Sequence, residues 1–299
     1  MLISTAELSS FYAHRSYYRW KILLFYILWG VAGYLVTQTS LWPLKLAIHV
    51  FIGFLMLGIL TFMHDAVHGI LFKNKLANEL VGNFMMLPFW ATFITFKEDH
   101  LKHHRHTRTL DDPDRISPVE RNFMNYLVFY LYFFLGAFLS MIHFNFIYPF
   151  KEFRGKKLRI HLVAAVLYVA LYSIIFFLAS VYHFWPVVFN CWLIPLIFFG
   201  IFNSWRFVPE HYGVGWDTDL IHSTRTITSN RFVRFFWNNI NYHIEHHLYP
   251  AVPWYNLPKL HAALSPALKE QGAIVEKSYF RVCLRALLRG PEALESYRH

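Results

Sequence analysis

The chain has 299 residues, of which 56% are hydrophobic and only 15% are charged. Soluble domains carry roughly a quarter of charged residues, so the composition excludes an ordinary soluble domain, a disordered chain and a fibrous repeat. The net charge of +10 points to basic loops beside a membrane, with no nucleic-acid partner expected, and two distant cysteines exclude a disulfide scaffold or a CxxC metal site.

Five long uncharged runs follow the polar first twenty residues. A helix of about 20 residues crosses a hydrocarbon core of about 30 Å, which favours four spans. The third run, at 80–96, is short and interrupted by Pro88. The runs lie at 22–44, 46–63, 80–96, 122–150 and 161–205, and the last divides into two spans near His183 and Pro186.

Charges at the ends of these runs predict their orientation. Arg15, Arg19 and Lys21 precede the first span and place the N-terminus in the cytoplasm, and no cleavable signal pattern is present. Residues 151–159 carry five cations against Glu152 and are also predicted to be cytoplasmic. The uncharged link at 181–186 suits the outer face, and residues from 206 onward are predicted to form a cytoplasmic cap.

Histidine is unusually frequent, with 18 residues, and three short motifs contain eight of them. Spacings of three and four residues place the members of a motif on one helical face, where their side chains converge on one point. Repetition of this pattern predicts a metal site. The motifs are HDAVH with His64 and His68, HLKHH with His100, His103 and His104, and HIEHH with His243, His246 and His247.

The type of ligand narrows the choice of metal. HDAVH lacks the glutamate of HExxH, which excludes the zinc-protease pattern, and eight histidines exceed the four ligands of a closed structural zinc site. Bis-histidine haem does not explain adjacent pairs such as His103 and His104. Neutral imidazoles can hold two first-row metal ions beside an open edge for oxygen, and iron has the required redox chemistry, although affinity order alone does not exclude zinc.

Shared ligation also restricts the topology, because all three motifs must lie on one side of the membrane. The 80–96 run must then dip in and return or lie along the interface, and 122–150, with basic residues near both ends, must not cross. The prediction is an all-α integral membrane protein with four transmembrane helices, interfacial or re-entrant helices and a cytoplasmic helical cap holding a dimetal site. We expect one domain over 1–299, with hairpins at about 22–68 and 160–205, interfacial segments at about 78–150 and the cap at about 206–299.

The extended motifs resemble the three histidine boxes of the membrane fatty acid desaturase and hydroxylase superfamily. They read HDAVHG at 64–69, HLKHHRHT at 100–107 and NYHIEHHLYPAVPW at 241–254, and the resemblance runs from about 45 to 260. Their wording is nearest to bacterial acyl desaturases and to carotenoid ketolases and hydroxylases. The resemblance implies a four-span helical fold, a di-iron centre and a ninth ligand, which here is His211 in RFVPEHYG.

The resemblance further implies an oxygen-dependent fatty acyl desaturase in a membrane, with a bacterial inner membrane expected. Two iron ions and dioxygen act on a lipid chain, and zinc can replace iron in purified protein. Electrons come from an external ferredoxin or cytochrome with its reductase, because the chain has no flavin, haem or iron-sulfur signature. The alternatives are a carotenoid ketolase or hydroxylase, a fatty acid or alkane hydroxylase, and, in another class, a non-catalytic metal-binding or bis-haem protein.

Departures from the family pattern concern the substrate. The first box has three intervening residues where animal acyl-CoA desaturases have four, and His243 stands where front-end desaturases have glutamine. No haem-binding HPGG domain is fused to the chain. These differences weaken the assignment of an acyl-CoA substrate.

Several neighbours of the boxes are candidates for orienting a ligand through its second ring nitrogen. They are Asp65, His106, Glu210 and Glu245, together with Asp111, Asp112 and Asp114, for which pairing with Arg105, Arg108 and Arg115 is an equal alternative. Trp90, Phe93, Trp205, Trp237 and Tyr242 are candidates for lining an acyl tunnel, although simple packing also explains them. The 151–159 cluster either docks the electron donor, binds lipid phosphate or only marks the cytoplasmic side.

Overall fold

The computed structural model describes residues 2–113 and 118–297, and these residues are mostly helical. Two short strands, β1 (Thr226–Ile227) and β2 (Val275–Glu276), pair in parallel. The helices are α1 (Thr5–Phe11), α2 (Trp20–Gln38), α3 (Trp42–Val67), α4 (Lys75–Met86), α5 (Phe93–His106), α6 (Phe123–Ile142), α7 (Tyr148–Glu152), α8 (Gly155–Val181), α9 (Trp185–Val188), α10 (Ile194–His211), α11 (Arg231–Phe236), α12 (His243–Leu248), α13 (Leu257–Glu270) and α14 (Tyr279–Arg289).

Helix α3 is the centre of the molecule. The most apolar stretch of α3 is 67% buried inside the protein, whereas that of α8 is 6% buried and faces outward. Close packing of α3 on α10 depends on Gly53, because a Cβ at this position would lie 2.8 Å from the backbone nitrogen of Phe199. A glycine at a helix contact lets two backbones approach each other, as in membrane helix pairs generally.

The predicted dip at 80–96 is a sharp bend between α4 and α5. The two helices meet at 98°, and Trp90 at the bend has a left-handed backbone with φ of 54°. Carbonyl groups left without helical partners there are bound by side chains from other helices. Tyr172 donates to Leu87 O at 2.6 Å, Trp192 donates to Pro88 O at 2.9 Å and Asn145 donates to Trp90 O at 2.6 Å.

Five helical segments within the described residues are long and apolar enough to cross a membrane, or six if the bent pair forms one span. The segment Phe123–Glu152, predicted not to cross, is among the five. Within this segment Tyr130 donates to Leu287 O in α14 at 2.9 Å, and His143 Nε2 lies 3.2 Å from Asp99 Oδ1, next to the second histidine motif. The non-crossing position of this segment and the count of four spans therefore stay predictions.

The residues after α10 form a cap over α3 and α5. Asn238, which has a left-handed backbone, donates from its side chain to Gly58 O at 2.9 Å and Thr61 Oγ1 at 2.7 Å. This amide therefore fastens the cap to α3 one turn before His64. The backbone nitrogen of Trp254 reaches Asp65 Oδ2 at 3.4 Å and fastens the far side of α12.

Candidate metal centre

The predicted histidines lie at the ends of four helices. His64 belongs to the last turn of α3 and His68 caps it, where Gly69 takes a left-handed conformation that ends the helix. The second motif forms the last turns of α5, and His211 is the last residue of α10. The third motif is the short helix α12, which the contacts of Asn238 and Trp254 hold against α3.

Nine histidines, the eight from the motifs and His211, lie together and form two groups. Group A consists of His64, His68, His100, His104 and His246, whose candidate ligand atoms all lie within 4.8 Å of one another. Group B consists of His103, His211 and His247, within the same distance, together with His243. The Nε2 atom of His243 lies 2.9 Å from that of His211 and 3.1 Å from that of His247.

The division between the groups differs from the sequence expectation that each motif converges on one point. In the second motif His100 and His104 join group A, whereas His103 joins group B. In the third motif His246 joins group A and His247 joins group B. The physical reason is the 100° turn per residue of an α-helix, which keeps residues four apart on one face but separates neighbours.

The spacing of the nitrogen atoms fits metal ligands better than hydrogen-bonded imidazoles. His100 Nε2 lies 3.1 Å from His68 Nε2 and 3.0 Å from His104 Nε2, which is also 3.0 Å from His246 Nε2. A ring nitrogen has either one hydrogen or one lone pair, so it cannot form two good bonds of this kind. Neighbouring ligands at right angles, about 2.1 Å from one ion, are about 3.0 Å apart, which matches the observed distances.

Burial keeps the imidazoles in the form that binds metals. His243, His246 and His247 are each less than 5% exposed. Burial, the largest effect, lowers the pKa of each of these three side chains well below the usual value, and nearby histidines lower it further. The three rings are therefore neutral at pH 7, as ligation requires.

The predicted neighbours of the ligands occupy different places. Asp65 Oδ1 lies 3.8 Å from His64 Nδ1, which is too far for a hydrogen bond, and the other oxygen of Asp65 accepts from Trp254 N. Glu210 is fully buried, and its Oε2 lies 3.6 Å from His243 Nε2, the same nitrogen that faces His211 and His247. Arg206 Nη1 donates to Glu210 Oε2 at 3.0 Å, and the Tyr279 hydroxyl donates to Oε1 at 2.9 Å.

Two predicted neighbours bind other groups. Glu245 contacts the Thr226 hydroxyl and the Nδ1 atom of His261 within the cap. His106 is part of neither histidine group, and its carbonyl accepts hydrogen bonds from Thr109.

The aspartates after the second box do not act alike. Asp112 accepts from His103 Nδ1 at 2.9 Å and from the backbone nitrogen of Arg108 at 2.7 Å. Asp111 is exposed, and Asp114 and Arg115 lie outside the described residues.

Thr107 is a contact that sequence reasoning did not find. Its hydroxyl donates to His103 O at 2.8 Å and lies 3.2 Å from His247 Nδ1. It can therefore accept from the His247 ring and join the second box to the third. The only sequence signal was its position at the end of the HLKHHRHT motif.

A cavity of about 160 Å³ lies directly below both groups, between α3, α5, α6 and α10. This is roughly ten times the space that one water molecule needs. Its upper wall includes His64 and His100 of group A and His103, His211 and His243 of group B. Apolar side chains such as Phe89, Phe144 and Phe199 line most of the rest, with polar groups that include Asp99, Asn203 and Arg206.

The five aromatic residues that were candidates for a tunnel wall do not line this cavity. Phe93 is buried against Gly82, and Trp237 packs against Tyr279 with ring centroids 5.1 Å apart. Trp90, Trp205 and Tyr242 are likewise absent from the described wall. Packing therefore accounts for these five residues. The cavity wall comes in large part from α6 and α10, whose sequences carry no distinctive motif at these positions.

Comparison with known families explains this arrangement. The family described as fatty acid desaturase matches residues 40–279, which is most of the chain and contains all nine histidines. The chain belongs to the fatty acid desaturase family. Membership confirms the resemblance predicted from the three boxes.

The relatives differ in what they act on. An sn-1 oleoyl-lipid 12-desaturase of Arthrospira platensis is 24% identical over 83% of this chain and 76% of its own length. A chloroplastic omega-6 fatty acid desaturase of Glycine max is 21% identical over 82% of this chain and 62% of its own. A zeaxanthin 4-ketolase of Chlamydomonas reinhardtii is 26% identical over 83% of this chain, which spans only 53% of that protein.

Proposed function

We propose that this protein is an oxygen-dependent lipid desaturase that holds one iron ion in group A and a second in group B. The proposed ligands are His64, His68, His100, His104 and His246 for the first ion and His103, His211, His243 and His247 for the second. The observation that carries the proposal is the mainly apolar cavity whose upper wall includes histidines of both groups. A methylene group in this cavity would lie beside both ions.

Two bound iron ions would supply the oxidising power to attack an unactivated C–H bond with dioxygen. In the proposed reaction, neighbouring carbons of a saturated chain lose two hydrogen atoms. Dioxygen takes up these two hydrogens, two external electrons and two protons, and leaves as two water molecules. The substrate becomes a chain with one new double bond.

The protein itself holds the metal ions, orients their ligands and shields the reacting carbons from water. Asp112 and Thr107 fix the rings of His103 and His247 through their second nitrogens. Leu60, Met86 and Phe96 surround the chain with apolar surface and exclude water from the reacting carbons. Positioning alone can lower a barrier by several kcal/mol, about 7–11 in the best cases.

The electrons are proposed to come from an external ferredoxin or cytochrome. Residues 151–159 offer a basic surface for it, in which Lys151 is 74% exposed, although Lys157 pairs with Glu98 at 2.7 Å. We further propose that the histidine groups and both termini face the cytoplasm, and that the membrane is a bacterial inner membrane.

A second candidate is oxygenation of a carotenoid ring, since one relative is named a zeaxanthin 4-ketolase. The same two histidine groups would serve either reaction. The size and shape of the cavity end remote from the histidines then decide between a flexible acyl chain and a ring.

Expression in a host that makes both saturated acyl lipids and β-ring carotenoids tests the choice. We expect acyl chains 2 Da lighter in lipid extracts, with carotenoids unchanged. Oxygenated carotenoids with unchanged acyl chains would favour the second candidate. A strong Soret band in the purified protein would contradict both.

A further inference from the structure

A buried ion pair joins the C-terminal segment to the second histidine motif. Arg108 Nη2 donates to Glu292 Oε2 at 2.8 Å, and the two side chains are 2% and 5% exposed. Glu292 lies beyond residue 279, where the match to the family ends. Arg108, in contrast, lies inside the matched residues.

Arg108 connects this pair to His103. Its backbone nitrogen donates to Asp112 Oδ2 at 2.7 Å, and Asp112 Oδ1 accepts from His103 Nδ1 at 2.9 Å. The backbone of Arg108 is left-handed, with φ of 59°, which is unfavourable for a side chain other than glycine. The buried ion pair with Glu292 is one of the contacts that hold the residue in this conformation, together with the backbone hydrogen bond to Asp112.

The same guanidinium holds the loop that follows His211. It donates to Val214 O at 3.2 Å and to Gly215 O at 3.4 Å, and it lies 5.2 Å from the centre of the Trp216 ring. Arg108 O in turn accepts from Asp217 N at 2.9 Å. Arg108 therefore contacts both the segment that follows His103 and the loop that follows His211, two histidines of group B.

The C-terminal segment is itself firmly attached, so it can serve as an anchor. Val119 and Ala293 form a parallel bridge, in which Val119 N donates to Glu292 O at 2.9 Å. Tyr212 donates to Gly290 O at 2.8 Å, and Tyr297 donates to Val214 O at 3.0 Å. Tyr297 also contacts the Glu292 carboxylate.

We propose that Glu292 is a positioning residue for group B: it holds Arg108, which presents its backbone nitrogen to Asp112, which orients the His103 ring. None of the hydrogen bonds named in this series involves a side chain of group A. The inference rests on the proposed assignment of one metal ion to each group. Loss of Glu292 should weaken one metal site and leave the other unchanged.

The test is a titration of purified, metal-free protein with Co²⁺, followed by its visible absorption and by chelator competition. The wild type should bind two ions. Glu292→Ala should bind one ion as the wild type does and the other 10–100-fold more weakly, the usual effect of removing support from a ligand. Glu276→Gln, which alters an ion pair with Arg285 elsewhere in the cap, is the matched control and should bind both ions normally.

His103→Ala identifies the affected site. Because both changes act through one ring, the double variant Glu292→Ala with His103→Ala should lose no more affinity than His103→Ala alone. Two sites of wild-type affinity in Glu292→Ala would overturn the proposal, as would equal weakening of both. A wild type that binds fewer than two ions would instead contradict the proposed function.

Removal of one member of a buried ion pair can prevent folding. Glu292→Gln and the paired change Arg108→Met with Glu292→Met keep the volume, and the second removes both charges at once. Replacement of a buried pair by apolar residues is often neutral for stability. We expect the methionine pair to fold with one weakened metal site, and a methionine pair with two normal sites would overturn the proposal.

Discussion

His103 and His104 are neighbours in the chain, yet their rings belong to different groups. In both the second and the third motif, the two histidines four residues apart share a group and the remaining one faces the other. The HxxHH pattern is thus suited to two ions rather than one, since a single helix supplies ligands in two directions. The sequence of one motif alone does not show this division, because it depends on where the other motifs lie in the fold.

Two histidines of α5, one inside group A and one outside both groups, can be compared by substitution. His104→Ala removes a group A side chain whose Nε2 atom lies 3.0 Å from those of two other histidines. We expect product formation to fall below detection, measured by mass spectrometry of lipids from expressing cells. The protein should still be found in the membrane fraction.

His106→Ala is the control for that experiment. His106 is on the same helix but belongs to neither group. It should keep at least half of the wild-type product. Activity in His104→Ala, or equal loss of activity in both variants, would contradict the assignment of His104 to a metal group and of His106 to neither.

The nine histidines were predictable because their spacing is a local property of the sequence and His211 follows a family motif. Support from Asp112 was predictable only as one of two equal alternatives, since three aspartates stand close together in the sequence. The contacts of Thr107 and Glu292 join residues far apart in the chain. No local pattern encodes them.

Among the elements, the bend between α4 and α5 brings the second histidine motif under the cap. Gly82 makes the bend possible, because a Cβ there would lie 2.4 Å from the Phe93 ring. Phe93 starts α5 and is fully buried, so it has little space to move.

Gly82→Ala should therefore lower stability. Forcing extra volume into a packed core costs about 1–3 kcal/mol. Thermal unfolding of the detergent-solubilised protein measures the change.

Gly30→Ala is the matched control, since α2 offers open space around that position. It should be neutral or slightly stabilising, by up to about 1 kcal/mol, because alanine favours a helix over glycine. A Gly82→Ala variant as stable as the control would show that Phe93 does not restrict the bend.

Helix α6 contributes the side of the cavity opposite α3. Ala137 faces the cavity and is 5% exposed, whereas Leu135 on the same helix is 45% exposed. Ala137→Phe would fill space beside the histidines, and Leu135→Phe would change only the outer surface. Comparison of the two variants therefore distinguishes an effect on the cavity from a general effect of phenylalanine in α6.

We expect Ala137→Phe to lower conversion of long chains at least tenfold and to affect short chains less. Leu135→Phe should leave both conversions within twofold of the wild type. Competition between chains of different length, followed by product analysis, measures the ratio. An unchanged ratio in Ala137→Phe would mean that the substrate does not enter this cavity.

The helices were predictable from the sequence where apolar runs are long, whereas the residues of the cavity wall were not. The α4–α5 dip followed from the need to bring His68 and His100 together. Phe144 and Phe199 could not be selected in advance, because most aromatic residues of this chain lie in the same apolar runs. Which of them face inward depends on how four helices rotate against one another.

For the whole molecule, the metal ions should act as cross-links between the first helical hairpin, the bent pair and the cap. Ligand binding stabilises the folded state by RT ln(1 + [L]/Kd), about 2.7 kcal/mol at a hundredfold excess over Kd. Removal of metal with a chelator should lower the unfolding temperature, and added Fe²⁺ should restore it. An unfolding temperature that does not change when metal analysis reports loss of both ions would contradict this role.

His104→Ala provides the comparison for chelation. With group A incomplete, chelator should produce a smaller shift than in the wild type. Equal shifts in both proteins would mean that group A does not contribute to the stabilising metal.

Group A joins His64 in α3 to His246 in α12, with most of the chain between them. During synthesis on the ribosome, the first helical hairpin is therefore complete long before His246, the last histidine of group A, has been made. Group B cannot assemble earlier, since it needs His243 and His247. On the proposed function, both metal sites are complete only after translation has passed residue 247, and a cell short of iron would accumulate complete but empty protein that can be activated without new synthesis.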